Sequence, residues 1–223
     1  MRKNGSRLIS IRQYRLTDLF LFAAILVAAE LLAFYAPRMF PNSSDFTVSF
    51  MVPIVLLVMM RWGWPSVFYP IISGVLYCGL NKMEPRMYAV YIIGNACISA
   101  MLLATKFFGK EKIAGKWYFS ALFVVLGWLA VFLGRAIVSE CFGIGFVAAV
   151  IGHLWELLSL AIGILVILVM RKLDGMFEDQ KHYLKRLDAE KKEKQRRDTF
   201  GDEPIEIDEE SLSILNKKDD SLY

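Results

Sequence analysis

The chain has 223 residues, of which 56% are hydrophobic and only 22% charged, and its mean hydropathy is +0.44. A soluble domain of this length carries fewer apolar residues, and its apolar runs are shorter. The composition therefore excludes an ordinary cytosolic enzyme, a secreted disulfide scaffold and a disordered chain, and it predicts an all-α integral membrane protein. The net charge of +4 divides into +7 over residues 1–170 (14 Lys and Arg against 7 Asp and Glu) and −3 over residues 171–223 (12 against 15).

Six apolar segments are predicted to be transmembrane helices, because about 20 apolar residues cross a hydrocarbon core of ~30 Å. They are residues 17–36, 46–60, 64–80, 87–105, 117–138 and 144–170. The second segment has only 15 residues, so it depends on pairing with the third across Arg61-Trp62-Gly63-Trp64-Pro65. Gly and Pro break the helix there, and Arg and Trp side chains suit the depth of the lipid headgroups.

The positions of Lys and Arg in the short connecting loops predict the orientation. Five basic residues precede the first span, four lie between the fourth and fifth spans, and two follow the sixth, whereas the other loops carry fewer. We therefore expect a six-transmembrane-helix bundle in the cell membrane with both termini cytoplasmic. It comprises a basic arm (1–16), a membrane domain (17–172) and a charged tail (173–223) that is helical at first and then flexible. The positive charge of the body is an orientation signal and does not indicate nucleic acid binding.

Three features outside the spans leave alternatives open. The external loop at residues 37–45 is either a lid or a plain connector. The tail either keeps the protein soluble at the membrane surface or docks a cytoplasmic partner. Cys78 and Cys141 both fall near the outer face, but the sequence does not decide whether they pair.

Polar and ionisable residues inside the spans are costly, so their depth is informative. At 1.5 Å per residue they fall in the outer half of the membrane. They are Glu30, Asn81, Tyr91, Asn95, Arg135, Glu140, His153 and Glu156. The inner half holds little more than Ser and Thr hydroxyls. A channel or proton relay needs polar groups through the full depth, so this distribution predicts a pocket that opens outward and is closed below.

Within this pocket, Arg135 is the one predicted intramembrane cation, with Glu30, Glu140 and Glu156 as candidate counter-ions. His153 and Glu156 are three residues apart and share a helix face. Either Arg135 merely pairs with a glutamate, or Arg135 or His153 contacts a ligand. The chain contains no H-E-x-x-H motif and no P-loop, so we predict no enzyme, no metal site and no cofactor.

Two motifs carry a resemblance to a known family. Span one contains Ala24-x-x-x-Ala28, and span two reads Phe46-x-x-x-Phe50-x-x-Pro53-Ile54-Val55-Leu56 before Arg61-Trp62-Gly63. With the six spans, the basic arm and the external polar loop, this set resembles the substrate-binding S component of energy-coupling factor (ECF) vitamin transporters over roughly residues 15–172. The resemblance implies a subunit that captures a vitamin or similar micronutrient from outside. That subunit would then dock onto a T component with two ATPases, as in an ABC importer.

The resemblance also implies roles for particular residues. It assigns Ala24 and Ala28 to the face that docks the T component, and it places most of the pocket in spans four to six. The candidate substrate-binding residues are Glu30, Tyr91, Asn95, Arg135, His153 and Glu156. The alternatives are a membrane scaffold or sensor whose tail recruits a partner, and an intramembrane enzyme using His153. The ligand stays open between a zwitterion, a carboxylated vitamin and a polar heterocycle.

Overall fold

A computed structural model describes residues 11–39, 48–154 and 156–200, and within these ranges the chain is helical with no β-strand. The ten α-helices of this part, in chain order, are α1 (Ile11–Met39), α2 (Met51–Trp62), α3 (Phe68–Leu80), α4 (Pro85–Ala96), α5 (Met101–Phe108), α6 (Lys110–Gly115), α7 (Trp117–Cys141), α8 (Phe146–Leu154), α9 (Leu157–Lys172) and α10 (Gln180–Phe200). The described residues up to Leu184 form one compact unit, and those from Lys185 to Phe200 belong to a second. The prediction of an all-α chain is confirmed.

Within the described ranges, three helical stretches are long and apolar enough to cross a membrane. They are Arg12–Tyr35, Pro85–Phe108 and Trp117–Cys141, of 24, 24 and 25 residues. The second combines α4 and α5 through a turn of 3-10 helix at Cys97–Ala100. These stretches coincide with the predicted first, fourth and fifth spans, and they are compatible with a membrane protein.

Helix α2 is the centre of the first unit. All 12 of its residues are buried, and it packs against α1, α3, α7 and α9. Its sequence is apolar on nearly every side, as expected of an enclosed helix. Gly63 ends the helix at φ 72°, where its N–H donates to the Met59 carbonyl at 2.9 Å. The predicted second span, 46–60, is thus a shorter helix of about 18 Å in the described part of the chain, and residues 46–47 lie outside that part.

The predicted sixth span, 144–170, is two helices. Helix α8 ends at Leu154 and α9 begins at Leu157, with Glu156 at the N-cap position of α9 (φ −86°, ψ 3°). Trp155 lies outside the described residues. The apolar run therefore contains a turn at the point where its one carboxylate lies.

The segment after α9 is tied to the connection between α5 and α7. Lys110 donates to Asp179 at 2.6 Å, and Arg171 donates to the carbonyls of Ala114 and Gly115. Partial burial alone would raise the pKa of Asp179, but the hydrogen bond and positive charge of Lys110 outweigh it and lower the pKa below its ordinary value. These contacts connect α9 and the start of the charged tail to α6.

Several predicted features fall outside the described residues in whole or in part. Residues 1–10 of the basic arm, 40–45 of the external loop and 201–223 of the tail are among them. Helix α10 occupies part of the tail that is predicted to be helical. All three cysteines are free thiols, with Cys78 buried and both Cys97 and Cys141 exposed, so Cys78 and Cys141 are not paired in this structure.

Candidate functional site

Arg135 and Glu156 form a buried ion pair between α7 and the start of α9. Arg135 Nη1 lies 2.8 Å from Glu156 Oε1 and 3.0 Å from Oε2. The side chains are 5% and 14% exposed, respectively. A guanidinium group stays charged at ordinary pH, and a buried charge is tolerated only beside a counter-charge. Glu156 supplies that counter-charge, so the predicted pairing of Arg135 with a glutamate is present in the structure.

Helix α4 holds the other side of the guanidinium group. Arg135 Nε donates to Asn95 Oδ1 at 2.6 Å, and the Tyr91 ring centroid lies 4.6 Å from Arg135 Cζ. The Tyr91 ring in turn packs on Tyr77 of α3, with their centroids 4.6 Å apart. An aromatic face attracts a cation, and an amide oxygen fixes the plane of the guanidinium group. Arg135 is therefore oriented by two side chains one turn apart on a single helix.

Glycines allow the helices around Arg135 to approach closely. A Cβ atom at Gly94 would lie 2.6 Å from Arg135 Cγ and 2.7 Å from its Cα. A Cβ atom at Gly134 would lie 2.6 Å from the Gly94 carbonyl oxygen, and one at Gly74 would lie 2.9 Å from the Tyr91 carbonyl oxygen. Real Cβ atoms do not pack at such distances, so any larger residue at these positions would push the helices apart. Small residues are the usual means of close helix packing in membranes.

Glu30 of α1 joins the same region from the opposite side. It is 4% exposed, and its Oε1 accepts a hydrogen bond from Ser73 Oγ of α3 at 2.7 Å. It lies close enough to interact electrostatically with both Arg135 and Glu156. Side chains from α1, α3, α4, α7 and the α8–α9 connection thus meet around one guanidinium group.

A cleft opens beside the ion pair, between α2, α7 and α9. Its polar end is formed by Arg135, Glu156 and Ser159, and its apolar wall includes Val52, Trp128 and Phe132. The Trp128 and Phe132 rings stack with centroids 5.4 Å apart and an interplanar angle of 15°. The cleft measures about 390 Å³ when the space open to solvent is counted, and its enclosed part holds about one water molecule. A larger ligand would have to move side chains apart.

Five of the six predicted substrate-binding residues come together in this cluster: Glu30, Tyr91, Asn95, Arg135 and Glu156. His153 belongs to α8, but its side chain lies outside the part of the chain that the structure describes. Glu140, the remaining candidate counter-ion, is elsewhere, because its carboxylate accepts the backbone N–H of Phe146 at 2.7 Å. Ala24 and Ala28 are exposed on α1.

A second buried cluster was not predicted. Asp18 of α1 accepts hydrogen bonds from Arg61 Nε at 2.9 Å, Arg61 Nη2 at 2.8 Å and Trp62 Nε1 at 2.5 Å. Arg61 Nη1 also donates to the Gly175 carbonyl at 2.8 Å, and the Phe22 ring lies 5.4 Å from its Cζ. Arg61 is 3% exposed and Asp18 is 9% exposed. This arrangement ties together α1, α2 and the segment that follows α9.

The Asp18–Arg61 cluster adds contacts that the sequence did not predict. Arg61 is enclosed by protein, with a carboxylate and two carbonyl groups around its guanidinium group. Arg135 is therefore not the one buried guanidinium group among the described residues. Asp18 lies inside the predicted first span, twelve residues before Glu30. Because an ionisable residue inside a span usually has a buried partner, this position could have indicated the cluster from the sequence.

Comparison with models of protein families, with curated proteins and with solved structures finds no match to this chain. Among the described residues, no three His, Cys, Asp or Glu side chains lie close enough together to hold a metal ion. The Arg135 cluster and its cleft are therefore the features from which a function can be inferred.

Proposed function

We propose that this chain is the substrate-binding S component of an ECF-type importer. It would capture a vitamin-like small molecule from outside and dock onto a T component that carries two ATPases. The observation that carries the proposal is the Arg135 cluster, where five elements bring charged and aromatic side chains around one guanidinium group, and this group and Glu156 line the polar end of an apolar cleft. Ligand sites commonly combine an apolar cavity with a few convergent polar groups. An ion pair needed for structure alone would not have to face a cleft.

The proposal includes six membrane spans with both termini in the cytoplasm. The three long apolar helices supply three spans, and the shorter helices around α2 supply the rest. In this orientation the Arg135 cluster lies in the outer half of the membrane, and the Asp18–Arg61 cluster lies at the cytoplasmic end. The cleft then faces the side from which a nutrient arrives. The excess of Lys and Arg near both termini supports this orientation.

The exposed face of α1 is the proposed surface for the T component. Ala24 and Ala28 lie on it among large exposed apolar side chains, including Phe20, Ile25 and Leu32. Small residues let a partner helix approach closely, and the larger side chains beside them supply contact area.

The test combines ligand detection with transport. Native mass spectrometry of the purified protein should show one bound small molecule, with an affinity in the nanomolar to micromolar range. Arg135→Lys keeps the charge but loses the hydrogen bond geometry, and it should weaken binding by at least about tenfold. The matched control is Glu140→Gln, which removes a charge outside the cluster and should bind as the unaltered protein does.

Uptake separates an S component from a self-sufficient transporter. Cells that contain this chain with a T component and both ATPases should accumulate the solute, and cells with an inactive ATPase should not. Accumulation against a gradient by this chain alone in proteoliposomes would contradict the proposal. So would the absence of both a bound molecule and partner-dependent uptake.

The alternative is a membrane scaffold or sensor that acts through its tail, and the observation in its favour is the long charged helix α10. The structure indicates where to cut the chain. Removal of residues from 175 onward would delete the Gly175 carbonyl that Arg61 binds, so truncation after Leu184 is the cleaner experiment. If that truncation abolishes function while Arg135→Lys is tolerated, the scaffold is favoured over the S component.

A further inference from the structure

The two buried arginine–carboxylate pairs described above differ in geometry. Arg61 presents two nitrogens side by side to the two oxygens of Asp18, and Trp62 also donates to that carboxylate. Arg135 Nη1, in contrast, contacts both oxygens of Glu156. The parallel two-nitrogen arrangement is the more specific one. Of these two pairs, the Arg135–Glu156 pair is the one that borders the cleft described above.

The two members of the Arg135–Glu156 pair are also held differently. Arg135 is fixed by Asn95 and Tyr91 and by the glycine-lined contact between α4 and α7. Glu156 lies in the turn before α9, and its side chain is the more exposed of the two. Both line the cleft. A ligand entering the cleft thus meets a fixed cation and a carboxylate located at a turn.

Charge pairing then restricts the ligand. An anion that binds Arg135 would add a second negative charge beside Glu156, and a cation that binds Glu156 would add a second positive charge beside Arg135. An uncompensated charge in a buried site is strongly unfavourable. A ligand with both charges avoids this cost, because it adds no net charge to the buried pair. The protein charges are 2.8 Å apart, so ligand charges on neighbouring atoms require the least movement.

We propose that the cleft binds a zwitterion of the α-amino acid type. Its carboxylate binds Arg135, its ammonium group binds Glu156, and its large apolar or aromatic side chain lies along Trp128 and Phe132. This assignment rests on the proposed substrate-binding function and names the chemical class of the substrate. Glu30 stays outside the exchange, because it is hydrogen-bonded to Ser73 and does not line the cleft.

Matched sets of three compounds test the assignment on the unaltered protein by equilibrium binding. One set is L-tryptophan, 3-indolepropionate and tryptamine, and a second is L-phenylalanine, 3-phenylpropionate and phenethylamine. A third is L-leucine, 4-methylpentanoate and isoamylamine. In at least one set the amino acid should bind, and both singly charged analogues should bind at least about 100-fold more weakly, since each adds a net charge to the buried site.

Glu156→Gln gives a second measurement on the same compounds. The variant removes the partner of the ammonium group, so the preference for the amino acid over the matched anion should fall by at least about tenfold. Glu140→Gln is the matched control, and its preference should equal that of the unaltered protein.

Three results would contradict the assignment of a zwitterionic ligand. The first is an anion or amine that binds as tightly as its amino acid, and the second is no binding by any of the three amino acids. The third is a co-purified ligand that carries a net charge. The last result would leave the proposed substrate-binding function intact, because that function requires a bound molecule and partner-dependent uptake but not a particular charge. Absence of both would instead overturn the function itself.

Discussion

Arg61 and Arg135 are both enclosed among apolar helices, yet their surroundings suit different roles. Arg61 contacts a carboxylate, backbone carbonyls and a neighbouring side chain of the packed interior. Arg135 has a comparable set on the α4 side but borders a cleft on the other. Arg61 therefore has the surroundings of a residue that stabilises the fold, whereas the proposed function makes Arg135 a ligand-binding residue.

Asp18→Ala tests the structural role of Arg61. The substitution leaves a guanidinium group buried without its counter-charge, so the free energy of unfolding should fall by about 3–5 kcal/mol. Denaturant unfolding in detergent, followed by circular dichroism, measures the change. Glu84→Ala is the control, because Glu84 is exposed and its side chain caps no helix. Its effect should stay within about 0.5 kcal/mol.

The double variant Asp18→Leu with Arg61→Met identifies the cause of the loss. If the unpaired charge is responsible, replacing both partners by apolar side chains should recover most of the stability. Wild-type stability in Asp18→Ala alone would contradict the role assigned to the pair.

The grouping of residues was predictable from their positions along the helices, but their pairing was not. Counting 1.5 Å per residue grouped Glu30, Arg135 and Glu156, and the structure brings these three together. Which glutamate contacts Arg135 depends on how the helices are rotated about their axes, and the sequence does not specify that rotation. The partners of Arg61 were not predicted for the same reason, since they come from α1 and from the segment after α9.

At the scale of helices, the contact between α4 and α7 is set by Gly94 and Gly134. The two glycines let the backbones approach until the Arg135 side chain lies against α4, where Asn95 and Tyr91 can reach it. The same contact thus determines both the packing of the helices and the geometry of the candidate site.

Gly94→Ala should destabilise the protein and disturb the site together. The added methyl group would overlap the Cα and Cγ of Arg135, and backbone atoms can yield only if α7 shifts. We expect a loss of about 1–3 kcal/mol in the free energy of unfolding, together with weaker ligand binding. Thermal unfolding and equilibrium binding measure the two effects.

Gly115→Ala is the matched control for Gly94→Ala, because nothing lies within 4 Å of the position that its Cβ would occupy. Equal stability of the two variants would show that α4 and α7 tolerate a wider separation, and the close-packing argument would fail.

The existence of most helices followed from the apolar runs, but their interruptions did not. The run at 144–170 has no proline that would mark the turn at Glu156, so it resembles one continuous helix. Helix α2 was expected to be longer because an apolar sequence does not distinguish a helix that faces lipid from one enclosed by protein. Both differences arise from tertiary packing.

For the whole molecule, the proposed topology places the end of α7 outside the cell. Cys141 ends that helix and is exposed, so a membrane-impermeant maleimide applied to intact cells should label it. Cys78 is buried, and Cys97 lies within the apolar stretch Pro85–Phe108, where water is scarce. Labelling requires a thiolate in water, so these two thiols should stay unmodified.

Mass spectrometry of the labelled protein reads out the site of modification. Cys141→Ser should abolish labelling from outside without affecting membrane insertion. Modification of Cys141 only in inside-out vesicles would contradict the orientation, and with it the placement of the cleft toward the outside.

Asp18 and Glu30 give α1 a property that neither residue has alone. Each is anchored to a different part of the bundle, Asp18 to Arg61 of α2 and Glu30 to Ser73 of α3, and they are separated by about 18 Å along one helix. Because each added residue turns a helix by about 100°, inserting or deleting one residue between them would force one of the two contacts to break. The number of residues between Asp18 and Glu30 is therefore constrained as firmly as their identity, and α1 is held in a single register against both sliding and rotation.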